Sequence, residues 1–179
     1  MKKKMFALLL ALVGIFAFQS CEEGLLDFNQ TLTYSYEVPV VSADSVFAIS
    51  ELVDLASQDS IINEYGSKIK EINIIEVKYW LTMFEGDDDQ TIIEATLKIA
   101  DENNAGEQTI TTISNQNLKA LLNTPTVLNV NQDAINSMQA LIKNSPHKFR
   151  LSFANASNKP PLNFKVNFEF KYELVANPL

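Results

Sequence analysis

Only two side chains in this 179-residue sequence, His147 and Cys21, could act as a base near neutral pH or as a thiol nucleophile, because each is the sole residue of its type. A Ser-His-Asp or Cys-His arrangement would have to be built on His147. That residue sits in Ser145-Pro146-His147-Lys148, which reads as a turn between a helix and a strand, with no activated nucleophile beside it. A satisfied or solvated turn histidine is the expectation. One His and one Cys cannot supply a usual zinc ligand set. The five glycines form neither a GxGxxG nor a Walker pattern, so no phosphate-cradling loop is expected, and no cofactor.

Carboxylates are more plentiful. The tract Glu85-Gly86-Asp87-Asp88-Asp89 offers oxygens beside a flexible glycine, which is part of what calcium requires. It lacks the Asp-x-Asp-x-Asp-Gly register of a calcium-binding loop. It also lies between two strand patterns, where a polar turn is needed in any case, so Asp87, Asp88 and Asp89 are read as a solvated hairpin turn with no metal. Glu76, Glu94, Glu169 and Glu173 could supply the acid pair of a glycan hydrolase. Each alternates with apolar neighbours and should point to water with ordinary acidity. Tyr79, Trp80 and Phe84 could stack on a sugar if exposed, but aromatics in an apolar strand are expected in the core.

The remaining chemistry is at the N-terminus. Lys2, Lys3 and Lys4 precede an apolar run from Met5 to Phe18, followed by Gln19, Ser20 and Cys21. A charged region, an apolar region too short to span a bilayer and a small residue before the cut describe an export signal. A solitary thiol in an exported protein is a liability unless it is used. The segment Phe18-Gln19-Ser20-Cys21 resembles the lipobox of bacterial lipoproteins, which implies cleavage before Cys21 and acylation of its thiol. Glu22, Glu23 and Asp27 resemble the acidic signals that send some lipoproteins of Gram-negative bacteria to the outer face of the outer membrane. Asp44-Ser45-Val46 and Asp59-Ser60-Ile61 resemble O-glycosylation acceptor triplets of such bacteria, making Ser45 and Ser60 candidates for modification. Each serine also suits a turn or cap.

Loss of the leader removes three lysines, so Lys+Arg falls from 14 to 11 against 22 acids and the net charge goes from −8 to −11. Such an exterior repels nucleic acid and anionic headgroups. Membrane attachment would rest on the lipid, with several acyl chains for a stable hold. The expected organisation is a signal peptide over 1–20, a lipidated acidic tether over 21–30 and a single domain over 31–179, held together by a core because no disulfide can form.

Strand patterns dominate that domain. Leu162, Phe164, Val166, Phe168, Phe170, Tyr172 and Leu174 alternate with polar residues, the mark of a strand with one face in a core. Leu32 to Val38, Ile93 to Ile99 and Phe149 to Phe153 repeat the period, and Phe47 with Ile49 and Thr109 to Ile113 add shorter candidates. Ile72 to Phe84 is apolar on both faces and is expected to be a central strand covered on both sides. Helical spacing is local. Ser57 or Asp59 could cap a turn ended by Gly66, and Asn115 or Asn117 could open a short helix stopped before Pro125. The strongest helix runs from Asn131 through Ala134, Ile135, Met138, Leu141 and Ile142.

These elements predict a mainly β protein, an antiparallel two-layer β-sandwich with one to three short helices. Their order, with a long strand pair after Gly66, a late helix, two final strands and the ending Ala176-Asn177-Pro178-Leu179, resembles uncharacterised β-sandwich lipoproteins of Gram-negative surfaces. The expected function is a lipid-anchored, non-catalytic envelope module that binds a protein or glycan or assists a larger envelope complex. The alternative is an envelope hydrolase acting on glycan through scattered carboxylates.

Overall fold

The structure, a computed structural model, describes residues 27–177. The expected leader, Cys21, Glu22 and Glu23 lie outside the described residues. Eight strands follow one another: β1 (Phe28–Ser42), β2 (Val46–Asp54), β3 (Ile69–Phe84), β4 (Thr91–Asp101), β5 (Gln108–Asn117), β6 (Thr126–Val127), β7 (Lys148–Ser157) and β8 (Leu162–Ala176). Two short helices, α1 (Leu55–Gln58) and α2 (Ser60–Tyr65), join β2 to β3, and α3 (Gln132–Lys143) joins β6 to β7. Strand β1 starts at Phe28, and Asp27 is paired with Lys70 at 2.9 Å, so the last residues of the segment read as a tether belong to the sandwich.

Two antiparallel four-stranded sheets result, with orders β1-β8-β3-β6 and β2-β7-β4-β5. This is the strand order of an eight-stranded jelly roll, in which the chain crosses repeatedly between two packed sheets. Alternation explains β8. Leu162, Phe164, Val166, Phe168, Phe170, Tyr172 and Leu174 are all buried between the sheets, and β8 lies between β1 and β3 with every residue of β1 in register. Phe168 stacks with Tyr36 of its own sheet and tilts against Phe153 of the other at 5.5 Å between ring centres. These contacts tie the two layers together.

Three expectations need correction. Ile93 does not share the buried face of Ala95, Leu97 and Ile99. A register shift between Ile92 and Glu94 turns Ile92 inward and leaves Ile93 half exposed. Strand β3 is not covered on both sides. A shift between Ile74 and Glu76 leaves Ile75 exposed, while Ile72, Val77, Tyr79 and Leu81 face the core. Asn167, expected in water, is buried on the outer face in register with Trp80.

The helices are set by their caps. Asp59 accepts from the N–H groups of Ile61 and Ile62 and so starts α2, and Asn131 accepts from Asp133 to start α3. Helix α3 buries Ala134, Ile135, Met138 and Ile142 against β3 of one sheet and β4, β5 and β7 of the other. It thereby closes the flank that the two-residue β6 leaves open. The helix expected from Asn115 or Asn117 shrinks to one 3-10 turn, Lys119–Leu121, where Asn117 accepts from Ala120 N–H, because β5 continues to Asn117. No helix among the described residues is long and apolar enough to cross a membrane.

The register also separates two ends of the sandwich. Phe28 pairs with Ala176 and Ile69 with Ala176, which puts the first described residues beside α1 and α2. The β1–β2, β3–β4 and β7–β8 turns gather at the opposite end, joined by Ser157 N–H to Ser45 C=O at 2.8 Å and by Gln90 Nε2 to the carbonyls of Lys159 and Pro161.

Candidate functional site

The acidic tract is a turn at the end remote from the first described residues, and its charges have partners. The Lys159 ammonium lies 2.5 and 2.6 Å from the two carboxylate oxygens of Asp89 and 3.5 Å from Asp87, while Lys119 pairs with Asp88 at 2.6 Å. The Lys159 hydrogen bond holds the Asp89 carboxyl below the usual carboxylate range, and Asp89 in turn raises Lys159. Two ammonium groups therefore occupy the field a cation would need. Among the described residues no three His, Cys, Asp or Glu side chains gather as a metal-binding group.

The four strand carboxylates do not gather on one sheet. Glu94 lies on β4, in the sheet opposite the one that carries Glu76, Glu169 and Glu173. Glu76 pairs with Lys78 at 2.6 Å on an outer surface. The three aromatics are likewise divided: Tyr79 is buried in the core, Trp80 is half buried on the outer face, and Phe84 packs at the core margin. They form no common platform.

His147 is a structural residue. It is buried, its Nδ1 lies 2.7 Å from the carbonyl oxygen of Ile142, and its ring abuts Gly66. Its carbonyl accepts from Leu55 N–H at 3.2 Å, which extends the β2–β7 ladder by one pair. No acid or nucleophile among the described residues hydrogen-bonds to its ring. The two glycosylation candidates fall at opposite ends: Ser45 is half buried in the β1–β2 turn, and Ser60 is exposed as the first residue of α2.

A feature the sequence reading missed lies on the flank between the sheets. After its 3-10 turn the chain runs as a strap from Leu122 to Asn131. Asn123 donates to the Leu81 carbonyl, β6 pairs with Lys78 and Tyr79, and Leu128 donates to Val77 at 2.8 Å. The strap then crosses to the other sheet, where Asn131 N–H donates to the Ile110 carbonyl at 2.7 Å and the Thr111 hydroxyl to Asn129 at 2.8 Å. Between the strap and β5 remains a concavity of about 600 Å³, floored by Tyr79 and Ile113 and rimmed by Thr109, Thr112, Ser114, Gln116, Thr126 and Asn129. Its size suits a ligand site, and no charged residue lines it. The signal was present in the sequence: from Gln108 to Gln132 only Lys119 is charged.

No family model and no curated protein sequence matches the chain. Solved structures with related strand arrangements come from turnip yellow mosaic virus (12% identity, TM-score 0.42, 85% of this chain and 94% of that one), Desmodium yellow mottle tymovirus (12%, 0.38, 85% and 90%) and tobacco necrosis virus (12%, 0.38, 84% and 98%). At these scores the likeness is confined to the broad β-sandwich arrangement.

Proposed function

We propose that the mature protein is a lipid-anchored module of the cell envelope that binds a partner and performs no catalysis. The observation that carries this reading is the uncharged trough between β5 and the strap; of the candidate acids, Glu94 stands on the other sheet from Glu76, Glu169 and Glu173, and Asp87, Asp88 and Asp89 are paired with lysines. A hydrolase needs two acids facing one substrate bond, whereas a binding site needs a shaped concavity with a few aimed polar groups.

The anchor reading rests on the leader and Cys21. With the lipid there, the chain enters the sandwich at Asp27 and Phe28, so α1 and α2 face the membrane and the acidic turn points away from it. The trough, on the flank, stays accessible. Glu22 and Glu23 favour the outer membrane and its surface, and a net charge of −11 disfavours nucleic acid.

The test uses the full chain in its native envelope. Cys21→Ala is expected to move the protein out of the membrane fraction or stall its processing; normal maturation and membrane partition would remove the lipid assignment. A photo-crosslinking residue at Thr112 is expected to trap a discrete adduct that the same residue at Glu51, on the opposite flank, does not. Equal labelling at both positions, or none, would remove the binding assignment.

A further inference from the structure

We infer that the free edge of β5 receives an extended, uncharged peptide segment of a partner protein as an added strand, an inference that rests on the trough being the binding site. Edge strands are normally protected by charge, proline, brevity or a covering element, because their unpaired backbone groups invite another chain. Strand β1 carries Glu37 and Pro39, β2 carries Glu51 and Asp54, and β6 has two residues. Strand β5, Gln-Thr-Ile-Thr-Thr-Ile-Ser-Asn-Gln-Asn, is ten residues long and has neither a charge nor a proline. The strap covers only part of it.

The backbone of β5 shows where pairing is available. The Ile110 carbonyl points to the strap and is taken by Asn131. Ile110 is the extra residue of a register shift against β4, and its carbonyl is turned away from β4; from Thr111 onward the pairing is regular and backbone groups alternate sides, so Thr112 and Ser114 present their N–H and C=O groups to the side of that carbonyl, beyond the point where the strap leaves. No other main-chain group among the described residues bonds to them there. The Ser114 carbonyl is met only by the Gln116 side chain, at 3.4 Å. A peptide laid in the trough could bond these four groups, with alternate side chains directed toward Tyr79 and Ile113 on the floor and toward Thr112 and Ser114 at the rim.

The occupant follows from shape and charge. A second copy could offer its own β5 only with the same strap beside it, and two straps would compete for one gap. A net charge of −11 on each mature copy adds repulsion. The described chain begins at β1, at the opposite edge of the other sheet from the trough. An isolated extended segment meets neither obstacle, and the neutral lining selects one without charge.

The experiment takes the purified lipidated full chain in detergent and pans it against phage-displayed dodecapeptides. An enriched peptide is resynthesised with single N-methyl groups along its length, and binding is read by fluorescence anisotropy. Strand addition predicts at least a tenfold loss of affinity at alternate positions and little at those between. Thr112→Lys and Ser114→Lys are expected to weaken binding at least tenfold with an unchanged melting temperature, and Ser50→Lys on β2 to leave it intact. Indifference to N-methylation, binding of a neutral oligosaccharide such as a dextran fragment in place of peptides, or sedimentation as a dimer abolished by Ser114→Lys would overturn the inference. Failure to enrich any peptide while Thr112 still crosslinks in cells would also overturn it and leave the binding-module reading standing. Loss of both signals removes both.

Discussion

The imidazole of His147 occupies the space where a side chain at Gly66 would begin: a Cβ there would lie 2.5 Å from Nε2 and 3.1 Å from the neighbouring ring carbons. Gly66 has φ −51° and ψ −44°, a helical conformation open to any residue, so close approach rather than backbone freedom demands glycine. The ring cannot swing aside freely, being buried and tied through Nδ1 to the Ile142 carbonyl. Gly66→Ala should therefore cost about 1–3 kcal/mol in urea unfolding, as overpacking of a filled site does. His147→Ala should be destabilising alone, yet the double variant should lose less than the two singles combined. Strict additivity would show that the two residues are not coupled.

Strand β8 offers a contrast between its two faces. Phe168 is fully buried and touches rings from both sheets, whereas Lys165 and Glu169 stand on the outer face, Lys165 in a surface pair with Glu37. Phe168→Ala should cost about 3–5 kcal/mol. Lys165→Ala and Glu169→Ala should each stay within about 0.5 kcal/mol of the parent, since exposed pairs contribute little. Equal losses on both faces would be incompatible with the sandwich described.

How far the fold could be read in advance depended on whether a strand kept its period. The alternation in β8 and β7 is unbroken, and both strands bury the expected side chains. Strands β3 and β4 contain register shifts, and one extra residue reverses which side faces the core, so Ile93 leaves the buried face of its strand and Ile75, expected under cover, stands exposed. Gly66 looked like a helix stop, but its reason lies in His147, 81 positions along the chain (147 − 66), which local pattern cannot reveal. The trough depends on the strap crossing between sheets. The sequence showed its lack of charge but not its partner strand.

The acidic turn should not need calcium. Lys159 already pairs with Asp89 and Asp87, and Lys119 with Asp88. Millimolar calcium or a chelator should leave the melting temperature within about 1 °C of the untreated protein, because only a ligand that binds the folded state raises it. Lys159→Gln should lift the Asp89 carboxyl toward its ordinary range. Its lowered pKa in the folded state contributes stability above the unfolded pKa that is lost as pH falls through the folded one. The variant's stability should accordingly vary less below about pH 4. A calcium-dependent rise removed by Asp89→Asn would instead establish a metal site.

Alkaline pH should be the more destructive limit, through tyrosines on the β1 flank. Burial, assisted by the charge of Glu51, pushes Tyr34 up to about 12 and raises Tyr36 further. Tyr172 is raised by burial and by Asp59, whose Oδ2 accepts its hydroxyl at 3.3 Å while Oδ1 caps α2. A folded-state pKa above the unfolded value means the contribution is complete below the unfolded pKa, near 10, and is lost as pH rises toward the folded values. Unfolding free energy measured in urea should thus be flat through neutral pH and fall above about pH 10, together with a delayed rise in phenolate absorbance. Tyr172→Phe loses the bond to Asp59, so its stability should be lower at neutral pH, but its alkaline decline should be shallower because one ionising group is gone. A decline as steep as the parent's in both Tyr34→Phe and Tyr172→Phe would mean that the alkaline limit lies elsewhere.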